Sequence, residues 1–254
     1  MKMKHKTIQN EPIKQLMIVV ITVLFLCFLI AVLAYRPQSR AYKDAQSYLS
    51  ELHNQNLDQI QADVEASELQ LALSKATSEI EKNKIKFSGT VILGDSIVEG
   101  LSAYQLLNPT QAISARGKRS DNCADDIKKA AGLSPKRVIL HYGMNDLEYC
   151  RGNEKLFITH YQSALKQVKK QMPKAKIYVH ALLPIEASAI KQVSYYAKWK
   201  TFNQALKKLC EKENITFIDS GFLLKNKNDY ESDGIHPKYA FYEKWLPHLI
   251  EVLK

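Results

Sequence analysis

Val91-Ile92-Leu93-Gly94-Asp95-Ser96-Ile97-Val98-Glu99-Gly100 decides how the rest of this 254-residue chain is read. An apolar run ends in a glycine, an acid and a serine, and a helical pattern follows. A buried strand ending there delivers the Ser96 hydroxyl to the edge of a sheet, where open α/β folds keep their chemistry. Taken alone, Gly94-Asp95-Ser96 is equally a turn with a helix cap. The far end of the chain supplies what the tripeptide lacks. In Asp233-Gly234-Ile235-His236-Pro237, His236 is the only one of seven histidines with an acid three residues before it. Serine, histidine and acid are the parts of a nucleophilic triad, recognised by role and not by order in the chain.

Between these ends, short β-rich runs alternate with helical patterns, which predicts a parallel sheet. Strands are expected at 91–94, 111–115, 137–142, 176–182 and 216–219, and helices at 97–107, 122–131, 154–171, 194–212 and 238–253. The predicted fold class is α/β, a three-layer α/β/α sandwich on a parallel five-stranded sheet with right-handed crossovers. Its reactive rim would gather Ser96 after the first strand, Arg116-Gly117-Lys118 after the second, Gly143-Met144-Asn145-Asp146 after the third, and Asp233 with His236 after the fifth. Ser96 is the candidate nucleophile, weak until a base takes its proton. His236 is the candidate base and Asp233 its orienting acid. Three donors could form an oxyanion hole: the amides of Ser96 and Gly117 and the Asn145 side chain.

These blocks resemble the SGNH/GDSL hydrolases. Gly94-Asp95-Ser96, Gly117, Gly143-x-Asn145-Asp146 and Asp233-x-x-His236 stand in that family's order, over about residues 88–254. The resemblance implies a flavodoxin-like fold and ester hydrolysis or acyl transfer without a metal or cofactor. It assigns Ser96, His236 and Asp233 to the triad and Ser96, Gly117 and Asn145 to the oxyanion hole. Many relatives place an asparagine shortly before the second-block glycine, where this chain has Ser114-Ala115-Arg116.

All nine glycines lie at or after Gly89, so the chain changes character there. The expected organisation is a basic cytoplasmic N-terminus at 1–15, a transmembrane signal-anchor at 16–35, a helical stalk at 36–87 and the catalytic domain at 88–254. Residues 16–35 carry no charge, and at helical rise they span about 30 Å, the thickness of a hydrocarbon core. Lys2, Lys4, Lys6 and Lys14 before the run, against Arg36, Arg40 and Lys43 after it, place the N-terminus inside and the rest of the chain outside the membrane. The rival is a signal peptide cleaved after Val32-Leu33-Ala34. In the stalk, Leu49, Leu52, Leu57, Ile60, Val64, Leu69 and Leu73 fit one or two amphipathic helices, as a spacer or a self-associating rod. Net charge is +5 over residues 1–40, −3 over 41–88 and +8 over 89–254. A basic exported domain suits anionic envelope polymers or a solvated surface, and no nucleic-acid motif appears.

Several residues carry rival readings. Asp95 and Asp146 are expected to brace their own turns, and His141 and His180 to be hydrogen-bonded core histidines. Lys118 and Arg119 either bind an anionic group on the substrate or decorate a solvated loop. Cys123 and Cys150 each follow a rim loop, and export permits a disulfide between them. No His/Cys/Asp run has metal-ligand spacing. The functional expectation is an extracytoplasmic serine esterase that removes a short acyl group, such as acetyl, from an envelope glycan. The alternatives are an O-acyltransferase with the same triad, a lipase or lysophospholipase acting on a lipid ester, and a scaffold that retains the fold.

Overall fold

The computed structural model describes residues 11–34 and 40–254. The first ten residues of the basic N-terminal segment, and the 35–39 junction with the residues that would follow a cleavage, lie outside the described residues. The chain divides into two compact units, 1–66 and 67–254.

In the first unit, α1 (Glu11–Ala34) contains the apolar run. Within it Lys14–Val32 is long and apolar enough to cross a membrane, a test that a signal sequence also passes. Helix α2 (Arg40–Lys75) follows; the absence of Pro and Gly lets it run 36 residues without a break.

The second unit holds a five-stranded parallel sheet in the order β2-β1-β3-β4-β5. Its strands are β1 (Thr90–Gly94), β2 (Ala112–Ser114), β3 (Arg137–His141), β4 (Lys176–His180) and β5 (Thr216–Ile218). Every residue of β1 is buried, as a central strand covered on both faces requires. The register pairs Gly94 with Ser114 on one side and with His141 on the other. The chain therefore leaves β1 toward β2, then returns to build β3, β4 and β5 on its other edge. That reversal creates a crevice at the carboxyl end of β1.

The expected sandwich forms with trimmed strands and more helices. Helices α5 (Ala124–Gly132), α7 (Glu154–Gln171) and α9 (Trp199–Glu213) pack in one row, while α3 (Glu79–Lys86), α4 (Ser96–Ala103) and α10 (Tyr239–Val252) meet in another. Two short helices were not expected, α6 (Met144–Tyr149) and α8 (Ala187–Gln192). Each has only six residues, too few to show a period in the sequence. Helix α3, within the segment expected as stalk, packs against α10, and Phe87 beside it is fully buried. Gln111 donates to the Lys84 carbonyl (2.9 Å) and Arg137 to the Ser88 carbonyl (3.0 Å), joining this segment to the sheet.

Candidate active site

The turn from β1 into α4 has little freedom. A Cβ on Gly94 would lie 2.3 Å from Val98 Cγ2 and 2.7 Å from the His141 carbonyl, so only glycine lets strand and helix approach this closely. Asp95 caps α4, its Oδ1 accepting from the Ile97 amide at 3.0 Å. Ser96 thus becomes the first helical residue, with its amide at the positive end of the helix.

Asp233 and His236 come from the loop between β5 and α10. An isolated antiparallel bridge between Tyr230 and Pro237 closes this loop, and the Glu231 amide donates to the His236 carbonyl at 2.8 Å. The Glu186 amide binds the Gly234 carbonyl (2.9 Å), and the Tyr230 hydroxyl binds the Pro184 carbonyl (2.9 Å). Gly234 is needed for its positive φ of 71°. The loop carries the imidazole back to the first strand: His236 Nε2 lies 2.8 Å from Ser96 Oγ. On the other side His236 Nδ1 lies 2.6 Å from Asp233 Oδ2. Asp233 Oδ1 accepts from the amides of Ile235 (2.8 Å) and His236 (3.0 Å). Partial burial pulls the Asp233 carboxyl up, but these hydrogen bonds outweigh it and hold the group below the ordinary carboxylate range. It stays ionised and acceptor-only at neutral pH.

The remaining rim residues also assemble. Gly117 has φ +74° and nothing within 4 Å of the position its Cβ would take. Asn145, on α6, donates through Nδ2 to the Lys118 carbonyl at 3.0 Å and makes a longer contact of 3.5 Å to Asp95 Oδ2. The Gly117 loop is latched from two sides. Lys118 Nζ pairs with the buried Asp126 at 3.2 Å. Asp146 accepts from both the amide and the hydroxyl of Ser120. Asp146 therefore braces the neighbouring loop and not its own, a contact 26 residues away that no local pattern encodes. Burial raises its carboxyl to about 6 against the pull of the Ser120 bonds.

Arg119 pairs with Asp121 (2.9 Å) and lies over the Tyr149 ring at 3.9 Å. With Lys118 committed to Asp126 as well, both loop cations have partners within the protein. His180 is the expected core histidine: it bonds the Ala181 carbonyl through Nδ1 (2.7 Å), and its Nε2 accepts from Trp245 Nε1 at 3.0 Å and from Ser220 Oγ at 2.8 Å. His141 is the other buried histidine: its ring bonds the Ala181 backbone, while its Nδ1 has no hydrogen-bond partner.

Cys123 and Cys150, expected as a permitted disulfide pair, are free thiols in this structure and face different partners. Cys123 donates to the Ser120 carbonyl (3.3 Å), and Cys150 faces His160 Nδ1 at 3.9 Å. Burial pushes the Cys150 thiol up to about 11, so it is no nucleophile at neutral pH. Asp146, Cys150 and His160 bring three ligand-type atoms within 4.8 Å of one another, a cluster built from two helices that sequence spacing does not reveal. Its carboxylate is already engaged by Ser120.

A cleft of about 460 Å³ opens beside the serine. Ser96, Asp233 and His236 line it together with Glu99, Tyr104, Arg116 and Glu231. Arg116 and Glu99 pair across it at 3.4 Å. Arg116 was expected on this rim, but Glu99, Tyr104 and Glu231 were not singled out, because they come from separate segments with no shared motif.

The sequence profile of the GDSL-like lipase/acylhydrolase family matches residues 92–244. No curated protein matches the chain in sequence. Among solved structures, the chain is similar to a GDSL-like lipase from Bacteroides thetaiotaomicron, at 18% identity and a TM-score of 0.53, covering 74% of this chain and 96% of that one. It is also similar to a lipase/acylhydrolase from Enterococcus faecalis, at 13% identity and a TM-score of 0.51, covering 65% of this chain and 94% of that one. At such identities the likeness speaks for the fold.

Proposed function

The chain belongs to the GDSL-like lipase/acylhydrolase family and is a serine ester hydrolase, and on that premise we propose that Ser96, His236 and Asp233 are its triad. The observation that carries this reading is the continuous relay from Asp233 Oδ2 through the imidazole to Ser96 Oγ, at 2.6 and 2.8 Å. Ser96 Oγ attacks the ester carbonyl while His236 Nε2 takes its proton. The carbonyl oxygen becomes an oxyanion held by the amides of Ser96 and Gly117 and by Asn145 Nδ2. As the intermediate collapses, His236 returns the proton to the leaving alcohol and an acyl-serine remains. Water then attacks this acyl group as His236 takes its proton. When the second intermediate collapses, His236 gives that proton to Ser96 Oγ, and the carboxylic acid and free Ser96 are released. Asp233 stays ionised and stabilises the imidazolium at each stage.

The substrate reading is a short acyl group, such as acetyl, on a cell-envelope glycan. The cleft supports it: Glu99, Arg116, Glu231 and Tyr104 offer hydrogen-bond partners to a polyhydroxylated alcohol, while a long acyl chain would have to displace charged side chains. The apolar run in α1 is long enough to anchor the enzyme in a membrane, and the excess of lysines before it favours an outward-facing domain. The test is hydrolysis of p-nitrophenyl acetate by the wild type and by Ser96→Ala, with a fluorophosphonate probe. The wild type turns over ester and is labelled on Ser96, and the variant loses at least about 10³-fold in rate and all labelling. A variant as active as wild type overturns the triad assignment.

A further inference from the structure

Asp95 is the one fully buried carboxylate that touches the proposed oxyanion hole, and the mechanism leaves it unused. One of its oxygens caps α4, and the other lies 3.5 Å from Asn145 Nδ2. An amide NH₂ has two hydrogens. In the resting site one goes to the Lys118 carbonyl at 3.0 Å, and the other is directed at Asp95. No hydrogen is left over for an oxyanion, so substrate must compete for one of them. The Lys118 bond has good length and ties α6 to the latched Gly117 loop. The Asp95 contact sits at the outer limit of a hydrogen bond and is the one to be surrendered.

We propose that Asp95 is a positioning residue: it is the resting acceptor for the Asn145 hydrogen that must turn to the substrate oxyanion, and protonation of Asp95 releases that hydrogen. The proposal rests on Asn145 being an oxyanion donor. An ionised Asp95 holds the amide by a charge-assisted bond and sets a negative charge beside the site where the oxyanion forms. A neutral Asp95 does neither. The groups facing it are Asp146 from α6, His236 from the loop before α10 and the Tyr242 hydroxyl from α10. Burial, first, and the charge of Asp146 raise the Asp95 carboxyl to about 7, against the pull of the Ile97 amide and of His236. The two states of Asp95 therefore exchange across neutral pH.

The experiment is the pH dependence of kcat for p-nitrophenyl acetate in the full-length wild type, Asp95→Asn and Asn145→Ala, with thermal melts of each. Asparagine keeps the helix cap and mimics the neutral carboxyl. The wild type is expected to lose about fivefold in kcat from pH 7 to pH 8 as Asp95 ionises, and Asp95→Asn to show no such fall. A purely structural Asp95 would lower stability without moving the profile. A wild type with no fall above pH 7, or a fall retained in Asp95→Asn, overturns the proposal. Because the first outcome needs only wild-type protein, a poorly folding variant does not shield the idea. Asn145→Ala separates the two readings. If it keeps wild-type kcat, Asn145 is no oxyanion donor and the proposal falls with that assignment. If it loses about 10²-fold while Asp95→Asn keeps the fall, only the Asp95 proposal is overturned.

Discussion

At Gly117 a single missing methyl group has two consequences. Its φ of +74° is disfavoured for any residue with a Cβ, and the space before it is open. Alanine there costs about 1 kcal/mol of stability from the backbone alone. In the proposed oxyanion hole, its methyl group would narrow the open space through which a substrate carbonyl has to reach the amide. We expect Gly117→Ala to melt within a few degrees of wild type yet to lose about 10²-fold in kcat/KM for p-nitrophenyl acetate, the cost of one oxyanion donor. Steady-state kinetics beside a thermal melt checks this; equal losses in stability and rate would mark Gly117 as structural only. Gly94 is different, because Val98 and the His141 carbonyl already occupy the space a Cβ would need. Its role was half-legible: the glycine before Asp95-Ser96 could be read as a tight turn against Val98 four residues on, but the backbone it must also avoid comes from a strand 47 residues on.

Elements show where a local pattern stops being informative. The long, regularly patterned α7 lies at its expected bounds of Glu154–Gln171, whereas α6 was read as a turn although it carries Asn145 into the site. Helix α3 is the sharpest case. Five of its eight residues are charged, and none is fully buried, so by composition it belongs with the exposed segment before it. Yet it packs on α10 and sets Phe87, wholly buried, into the core. Losing a buried phenylalanine from a core costs about 3–5 kcal/mol. A fragment beginning at residue 67 should therefore melt well above one beginning at residue 88, by roughly 10 °C or more for a domain of this size. Equal melting temperatures by circular dichroism would show that α3 and Phe87 contribute nothing to the fold.

For the whole molecule, the buried histidines decide how it responds to acid. Burial depresses His180 to about 4, and burial together with the neighbouring His180 ring, 4.6 Å away, depresses His141 further below its ordinary range. In the unfolded chain both would bind protons near pH 6.5. The folded state thus binds fewer protons than the unfolded state below that pH. The stability these two histidines contribute is whole above about 6.5 and is lost as pH falls toward 4. The expected loss is on the order of 3 kcal/mol for His180 alone. Asp95 and Asp146, raised to about 7 and about 6, act in the opposite direction over the same range, so the histidine contribution is read as a difference. The melting temperature of the wild type relative to His180→Asn should fall between about pH 6 and 4, and a difference that stays flat down to about pH 4 would refute the assignment.

The sequence by itself determined the α/β class, the five strands and the identity of the rim residues. Those features rest on local rules: alternation of apolar runs with helical periods, glycine where the chain must turn tightly, and the residue types that acyl transfer needs. Tertiary structure decided which of those residues meet. His236 reaches Ser96 across 140 positions because the Tyr230–Pro237 bridge folds the last loop back over β1. Asp146 holds Ser120 and Asp95 stands against Asn145, each through a contact between segments that do not neighbour one another in sequence, while Lys118 turns inward to Asp126 on the next helix. The geometry of such contacts follows from sheet order and register. The chemistry was therefore written in the residues, and its arrangement in the packing.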